Sequence, residues 1–421
     1  MKTLTITEKV SGMYWILVIL LFIVCGFTLP NDDAIDQSIE KVRKGTIVVK
    51  AKPGAKVDVE QLRHEFRFGA AIADGIFNGR SPEEDVKKYK EKFLENFNAA
   101  VTENAVKWGN MERTKGNVNY AVVDAMLAWT DQNEMTLRGH NIYWGIAQFV
   151  QPWIKELSDD ELRQTLKNRG ETLAARYKGR FIEYDLNNEM IHGNYYEDRL
   201  GPDITKKMTE WIHTGDPDAK LFVNDYDITT GRKLDDYMAH IRLLLKQGVP
   251  IAGIGVQGHL HAESFDRNEL KRSLDSLAIF NLPICITEFN MPGQRSKFHN
   301  DRNLVMTQEA EAQKAKDIVD FYTICFANPA VNGILMWGFW AGSNWIPASS
   351  LYQRDWTPTP ALKAYQDMIY KQWWTTVSGK TDSKGSYFVP AFYGKYKITV
   401  DGVSKTVWLK SSDGTVTVDF N

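Results

Sequence analysis

Residues 180–189, RFIEYDLNNE, decide the fold, because a strand-like apolar run leads directly into amides and a carboxylate. The same form recurs along the chain, with long helical patterns between the runs. Eight strands are predicted: FRFGAAI from Phe66, FNAAV from Phe97, MTLRGH from Met135, RFIEYDL from Arg180, KLFVN from Lys220, IAGIGV from Ile251, PICITE from Pro283 and GILMWG from Gly333. Eight strands alternating with helices over about 300 residues predict an α/β fold, a (β/α)8 TIM barrel.

The alternative is a doubly wound open sheet. Such a sheet usually has fewer strands, and the sequence has no glycine-rich phosphate loop. The helical patterns place apolar residues three and four apart, as in DDELRQTLKNRGETLAARY from Asp159 and TQEAEAQKAKDIVDFYTICFA from Thr307. The barrel is therefore the favoured prediction.

Three segments are predicted, with boundaries at changes of composition. Residues 1–30 are a signal peptide or N-terminal anchor, residues 38–374 a catalytic barrel that includes a short β segment from Gly45, and residues 376–421 a small antiparallel, β-sandwich-like module. The module carries aromatics that form either one buried sheet face or a sugar-binding surface: Tyr387, Phe388, Phe392, Tyr393 and Trp408.

The leader is an uncharged apolar run, Met13 to Leu29, preceded by Lys2 and Lys9, which is typical of an export signal. The protein is therefore expected to be secreted, periplasmic or at the cell surface. An uncleaved anchor and lipidation at Cys25 are the alternatives, and membrane contact is expected only through this leader.

The composition limits the partners. The formal net charge of -2 argues against a nucleic-acid or anionic-membrane footprint and favours a neutral substrate. Cys285 and Cys325 show no pairing or metal-binding spacing and are predicted to be buried free thiols. The sequence predicts a monomer with no metal and no cofactor.

Working residues of a TIM barrel lie at the carboxyl ends of its strands, so the residues that end each predicted strand are the candidate site. Strand four ends at Glu189 and strand seven at Glu288. A lone Glu189 could be a solvated loop residue, whereas Glu288 follows an apolar run where an unpaired charge is costly. The other strand-end candidates are Glu103, Asn104, Lys107, His140, Trp144, Asn188, Asn224, Gln257, His259 and Trp337.

Two carboxylates among amides and aromatics favour glycoside cleavage. One acid protonates the leaving oxygen, and the other carboxylate attacks the anomeric carbon or activates water. The distance between the two groups decides between retention and inversion of the anomeric centre. The sequence leaves both outcomes open.

The chain resembles glycoside hydrolase family 10, the retaining endo-β-1,4-xylanases, and in particular its plant-like branch. The similarity extends from Gln37 to Trp374. Seven ordered motifs carry it: VTENAVKWGNMERTKGNVNY from Val101, LRGHNIYWG from Leu137, YDLNNEMIHGNYYEDRLG from Tyr184, VNDYD from Val223, GIGVQGHLH from Gly253, PICITEFN from Pro283 and WGFWAGSNW from Trp337.

The resemblance implies a role for each matching residue. Glu189 is implied to be the general acid and base, and Glu288 the nucleophile. The side chains that hold the non-leaving sugars are implied to be Glu103, Asn104, Lys107, His140, Trp144 and Asn188. Gln257 and His259 match positions beside the nucleophile, Trp337 and Trp345 match two tryptophans that close over the sugar, and Tyr226 matches an aromatic on the leaving-group side. The implied substrate is the polysaccharide xylan.

Three positions depart from the family pattern. Asn290 stands where the family usually has Asp, and its amide can still pair with His259. That histidine loses an anionic partner and is expected to be less readily protonated than in the family, which is expected to alter the pH profile. Gly145 replaces a common His, and Trp340 replaces a common acidic residue and is expected to add aromatic surface above the site. The last two changes affect the expected substrate preference, with another β-glucan or a decorated xylan as alternatives. A non-catalytic sugar-binding barrel is the third reading, supported only by Asn290.

Overall fold

The computed structural model describes residues 32–421, so the predicted leader, residues 1–30, and Cys25 lie outside the described residues. The described chain begins with helix α1 (Asp32–Arg43), which leads into strands β1 (Lys44–Lys50) and β2 (Lys56–His64). In residues 32–421 there is no helix both long enough and apolar enough to cross a membrane.

Eight parallel strands close into a barrel, which confirms the predicted fold. They are β3 (Arg67–Ile72), β4 (Ala99–Thr102), β5 (Thr136–Gly139), then, after the short β6 (Tyr143–Trp144), β7 (Glu183–Asn188), β8 (Leu221–Asp225), β9 (Gly253–Val256), β10 (Ile284–Phe289) and β11 (Val331–Met336). The spatial order follows the chain, with β3 beside β11, and pairing of β5 with β7 closes the ring. Each of the eight predicted runs overlaps one of these strands.

Helices follow the strands and cover the outside of the barrel. The long helices are α3 (Glu83–Asn96), α5 (Ala121–Gln132), α7 (Asp159–Arg176), α9 (Ile204–Gly215), α10 (Leu234–Lys246), α11 (Arg267–Ala278), α13 (Gln308–Ala327) and α14 (Pro360–Asp367). Short helices lie in the loops: α2 (Asp74–Phe77), α4 (Trp108–Met111), α6 (Pro152–Lys155), α8 (Tyr195–Leu200) and α12 (Lys297–Asn300), with a 3-10 turn at Pro347–Ser349 and a π turn at Met368–Gln372. Side-chain caps fix the starts of several helices; Ser158 and Glu161, for example, form a reciprocal capping box on α7.

The last five strands form a two-sheet module that also includes the N-terminal strands. These strands are β12 (Thr376–Lys380), β13 (Ser386–Phe392), β14 (Gly394–Val400), β15 (Val403–Leu409) and β16 (Thr415–Asp419). One sheet has the order β13-β1-β16 and the other β12-β2-β14-β15. Alternating apolar residues of both chain ends, including Ile47, Val57 and Ile398, are buried between the sheets.

This pairing corrects one of the predicted boundaries. The β segment from Gly45 was assigned to the barrel, but its strands can bury their apolar faces only against the C-terminal strands, so it belongs to the module. Within residues 376–421, β14 and β15 pair antiparallel, and β16 pairs in parallel with β1 of the N-terminal segment.

The module lies beneath the barrel, at the amino-terminal ends of the strands. β2 ends at His64 and β3 begins at Arg67, so only two residues separate module from barrel. The buried His64 ring lies 5.2 Å from Phe68 of the barrel, 5.1 Å from Trp374 and 5.9 Å from Phe392 of the module. An aromatic cluster therefore joins the two parts.

The module aromatics divide between core and surface. Phe392 is buried, Tyr387 and Tyr393 are half-buried against the module core, and Phe388 and Trp408 are 59% and 41% exposed. The exposed pair lie on different sheets, on β13 and β15. The aromatics are thus not one continuous buried face, and they do not form one continuous platform.

Candidate active site

A cleft of about 760 Å³ opens at the carboxyl ends of the barrel strands, opposite the module. The structure brings to this cleft each residue to which the family resemblance gives a role: Glu103, Asn104, Lys107, His140, Trp144, Asn188, Glu189, Tyr226, Gln257, His259, Glu288, Trp337 and Trp345. They come together because parallel strands of a barrel present their carboxyl ends on one face. Their individual roles stay predictions.

Glu288, at the end of β10, is buried among hydrogen-bond donors. Its Oε1 accepts from Asn224 Nδ2 at 2.9 Å, and its Oε2 lies 3.1 Å from His259 Nε2. Burial by itself would raise the pKa of this carboxyl group, but His140, the hydrogen bond to His259 and the charge of Lys107 outweigh it and lower the pKa to about 2. Glu288 is therefore ionised at any pH near neutrality.

Glu189, one residue after β7, has the opposite electrostatics. Burial raises the pKa of its carboxyl group, and the charges of Glu288 and Asp225 add to the effect, against hydrogen bonds from Gln257 and Trp144. Gln257 Nε2 donates to Oε1 at 2.9 Å, and Trp144 Nε1 donates to Oε2 at 2.9 Å. The backbone of Glu189 has φ 63°, a left-handed conformation that a side chain adopts at a cost in energy and that recurs at functional sites.

One wall of the cleft combines aromatic faces with a cation. Lys107 Nζ lies 5.0 Å from the ring of Trp144 and 5.7 Å from that of Trp337, and it donates to Asn104 Oδ1 at 2.9 Å. Beside them, burial and the charge of Asp74 raise the pKa of Glu103 to about 7. This wall offers flat apolar surface and several hydrogen-bonding groups, which suits a sugar ring.

The opposite wall is built on a stacked ring pair. The His192 and Tyr226 rings lie 3.6 Å apart with an angle of 10° between their planes, and Asp225 Oδ1 accepts from His192 Nδ1 at 2.7 Å. Arg295 lines the same cleft, and its ion pair within residues 32–421 is a 4.0 Å contact with Asp227 Oδ2. Its guanidinium is 56% exposed, so it can donate to a ligand in the cleft.

A column of buried charges runs through the barrel below Glu288. We call it the charge column and define it by Arg67, Glu183, Arg138, Asp185 and His140. Arg67 Nη1 donates to Glu183 Oε1 at 2.6 Å, Arg138 bridges Glu183 and Asp185, and His140 Nδ1 lies 2.8 Å from Asp185 Oδ2. His140 Nδ1 is also 3.9 Å from Glu288 Oε1, so the column reaches the nucleophile candidate from the floor of the barrel.

Comparison with known proteins identifies the family. The family model described as Glycosyl hydrolase family 10 matches residues 59–368. The chain belongs to glycosyl hydrolase family 10. This confirms the resemblance found in the sequence.

The family 10 chain is similar to several curated proteins. It is 34% identical over 376 residues to the anti-sigma-I factor RsgI6 of Acetivibrio thermocellus, a match that covers 87% of this chain and 46% of that protein. It is 33% identical over 399 residues to endo-1,4-beta-xylanase 1 of Arabidopsis thaliana, covering 90% of this chain and 40% of that protein. The chain thus spans less than half the length of these two relatives.

Solved structures of the family share the barrel. Xylanase 10B from Thermotoga petrophila RKU-1, solved in complex with xylobiose, matches with a TM-score of 0.65 at 26% identity, over 73% of this chain and 95% of that one. Native xylanase 10B from Thermotoga maritima matches with a TM-score of 0.64 at 26% identity, over 73% and 96%.

Two departures of this family 10 chain have structural explanations. Trp340 was expected above the site, but it is buried, stacks on Trp356 at 4.4 Å and donates to Arg354 O, so that expectation was wrong. A Cβ on Gly145 would lie 2.9 Å from Asn194 Oδ1, so the close approach of the loop around Asn194 explains the glycine.

Sequence reasoning gave no role to several cleft residues of the family 10 barrel. Asn224 was noted only as a strand end, yet Thr287 Oγ1 donates to its Oδ1 at 2.7 Å, which fixes its Nδ2 toward Glu288. Phe149 stacks on Trp144 at 3.8 Å. His192 and Arg295 lie on loops after β7 and β10, and a search of strand ends does not find loop residues. Asp185 could have been found from the sequence, because it is a charged residue inside an apolar strand.

Proposed function

We propose that the chain is a retaining endo-β-1,4-xylanase that hydrolyses internal bonds of xylan. The observation that carries the proposal is the pair of glutamates in one cleft, with the pKa of Glu288 lowered to about 2 and that of Glu189 raised. Two carboxyl groups whose surroundings separate their pKa values in this way suit a nucleophile and a general acid. Family membership supports the assignment.

In the first step, Glu288 attacks the anomeric carbon while Glu189 gives its proton to the departing glycosidic oxygen. The bond between that carbon and oxygen breaks, and a glycosyl ester of Glu288 forms. Asn224, with its amide held by Thr287, and His259 hold the attacking carboxylate in place. Loss of the Glu288 charge in this step lowers the electrostatic cost of the charge that Glu189 acquires.

In the second step, water attacks the same carbon and Glu189 takes a proton from it. The ester bond breaks and Glu288 leaves as a carboxylate, so two displacements give net retention. Gln257 and Trp144 then stabilise the ionised form of Glu189 through their hydrogen bonds.

The direct test incubates the full chain with purified xylans and follows new reducing ends, the product lengths and the anomer formed first by NMR. We expect internal cleavage and an initial β-anomer. Absence of new reducing ends would refute the activity, and an initial α-anomer would refute retention.

Glu288→Ala is expected to abolish turnover, with a loss of several kcal/mol of transition-state stabilisation, of the order seen when other covalent nucleophiles are removed. Glu210→Ala, at an exposed carboxylate on α9, is the matched control and should keep the wild-type rate. A Glu288→Ala variant with near-normal rates would show that another group is the nucleophile.

A decorated xylan is a second candidate substrate, and Arg295 favours it. Its exposed guanidinium in the cleft fits a uronic acid branch, because guanidinium and carboxylate form charge-assisted, bidentate hydrogen bonds. On this proposal Arg295→Gln lowers kcat/KM on glucuronoxylan but leaves that on unsubstituted xylan unchanged. Equal effects on both substrates would leave unsubstituted xylan as the better candidate.

A glycan-binding regulatory barrel is the candidate outside catalysis. It is favoured by the similarity to a protein named as an anti-sigma factor. Xylan binding with no hydrolysis over a broad pH range would support it. Detectable turnover that disappears in Glu288→Ala would exclude a purely binding role.

We also propose that the chain acts outside the cytoplasm as a monomer, with residues 1–30 as export signal or anchor. The support is the uncharged apolar run after Lys2 and Lys9. Cell fractionation, N-terminal sequencing of the mature protein and light scattering test these points. Recovery of the intact chain in the cytoplasm would contradict export.

A further inference from the structure

The side-chain amide of Asn290 has a single possible orientation. Trp345 Nε1, which can only donate, lies 2.9 Å from Asn290 Oδ1. Asn290 Nδ2 donates to Ser349 Oγ at 3.0 Å. That hydroxyl gives its one proton to Ile346 O at 2.8 Å and also accepts from Asn344 Nδ2 at 3.1 Å. While its proton points to Ile346 O, the Ser349 hydroxyl can only accept from position 290, and an amide supplies that donor where a carboxylate would not.

This orientation determines the protons of His259. Because the atom facing His259 Nδ1 at 3.0 Å is the Oδ1 acceptor of Asn290, Nδ1 must carry a proton. The other ring nitrogen, Nε2, lies 3.1 Å from Glu288 Oε2. Since Glu288 is an ionised acceptor, this contact is a hydrogen bond only if Nε2 also carries a proton, so His259 faces Glu288 as an imidazolium.

His259 has few neighbours that can balance this charge. The aromatic rings beside it within residues 32–421 are those of Trp345 at 5.1 Å and Trp337 at 6.5 Å, both uncharged. Among the described residues, Glu288 is the one carboxylate in contact with the imidazole. Both side chains are buried, where an unpaired charge is costly.

We infer that the neutral Asn290 makes this site favour the free carboxylate of Glu288 over its glycosyl ester, so that the covalent intermediate does not accumulate. The inference rests on the proposed retaining mechanism. In the first step the bond from Glu288 to the anomeric carbon forms, the bond to the leaving oxygen breaks, and Glu189 supplies the proton. Glu288 becomes neutral, and the buried imidazolium loses its counter-ion.

The second step reverses this loss. Water attacks the anomeric carbon, Glu189 accepts a proton, the ester bond breaks and the carboxylate returns beside the imidazolium. Formation of the intermediate is thus slowed and its hydrolysis accelerated, which makes the first step rate-limiting. Asn290 acts as a positioning residue, through His259, and does not touch the substrate.

The test on the wild-type chain uses a series of aryl β-xylobiosides whose phenol leaving groups differ in pKa. A rate-limiting first step makes kcat rise as the leaving group becomes more acidic, with no burst of released phenol. If kcat is constant across the series and a burst of one equivalent appears, the inference is wrong. If wild type hydrolyses neither xylan nor aryl xylobiosides, the proposed function fails instead.

The variant Asn290→Asp adds a second anion beside His259. We expect the ratio of the first-step rate to the second-step rate to rise at least about tenfold, which corresponds to about 1.4 kcal/mol. A phenol burst and a glycosyl adduct in the intact mass should then appear under turnover. Asn281→Asp, at an exposed turn, is the matched control and should show neither.

Ser349→Ala separates this electrostatic effect from simple loss of support. It removes the acceptor for Asn290 Nδ2 but adds no charge, so it should lower stability or overall rate without a burst. A burst in Ser349→Ala equal to that in Asn290→Asp would overturn the inference, as would a correctly folded Asn290→Asp without one.

Discussion

Substitution Glu183→Gln tests the charge column. Glu183 is 3% exposed, and its Oε1 accepts from both Arg67 and Arg138. Among the described residues, loss of this charge leaves Arg67 with no carboxylate in contact and Arg138 with Asp185 alone. Breaking a buried ion pair in this way costs about 3–5 kcal/mol. We therefore expect the free energy of unfolding at pH 7 to fall by about that amount.

The stabilisation by Glu183 should depend on pH, and the shift of its pKa gives the direction. Burial would raise the pKa of Glu183, but the charges of Arg67 and Arg138 outweigh it and hold the pKa below its ordinary value of 4.5. A carboxyl group with a lowered folded-state pKa stabilises the fold above its unfolded-state pKa, and this stabilisation is lost as the pH falls through the folded-state pKa. The difference in the free energy of unfolding between wild type and Glu183→Gln should therefore be largest at pH 7. It should decrease progressively below about pH 4.5.

This difference in the free energy of unfolding is measured by urea unfolding, followed by tryptophan fluorescence, at pH 7 and at several acidic pH values. The control is Glu134→Gln, which removes an exposed partner of Lys395 and should change little. A Glu183→Gln loss no larger than that of Glu134→Gln, or one that is independent of pH, would refute the role given to the column.

Three other predictions concern the cleft, a loop contact and the module. Gln257→Ala removes a hydrogen bond that lowers the pKa of Glu189; because Glu189 acts protonated, the alkaline limb of kcat/KM should move to higher pH, and a downward move would contradict the acid assignment. Gly293→Ala should lower the free energy of unfolding in urea by about 1–3 kcal/mol or more, since its Cβ would lie 1.5 Å from Leu260 O. The control Gly109→Ala should be tolerated, because the nearest atom to its Cβ is 3.7 Å away. Trp408→Ala should leave both the melting temperature and retention on insoluble xylan unchanged; lost retention at an unchanged melting temperature would assign sugar binding to the module.

The barrel and its cleft could be predicted because their signals are local. Each strand is an apolar run, and the polar residues that end it meet on one face whatever their separation in sequence. Glu189 and Glu288 are thus detectable without any knowledge of strand pairing. The buried position of the Trp340 side chain, in contrast, depends on its stacking with Trp356. No sequence pattern around position 340 indicates that contact.

The module was predicted from the sequence, but its pairing with the N-terminal strands and the charge column were not, for a different reason. Pairing of β1 with β13 and β16 joins strands from opposite ends of the chain, and alternating apolar residues fit many partners and registers. Arg67, Arg138 and Glu183 each resemble isolated polar residues in apolar strands. Only their contacts across the barrel show that they compensate one another.

The shared module also has a consequence for how the protein is made. Among the described strands, β1 and β2 are the first to leave the ribosome, whereas their partners β12, β13, β14 and β16 are among the last. Until residues 376–419 have been made, β1 and β2 carry open edges that invite pairing with other chains or cleavage. A chain that stops at the end of the barrel keeps its whole cleft but never closes those edges. Proteases or chaperones that recognise open strands would therefore act on chains that lack residues 376–419.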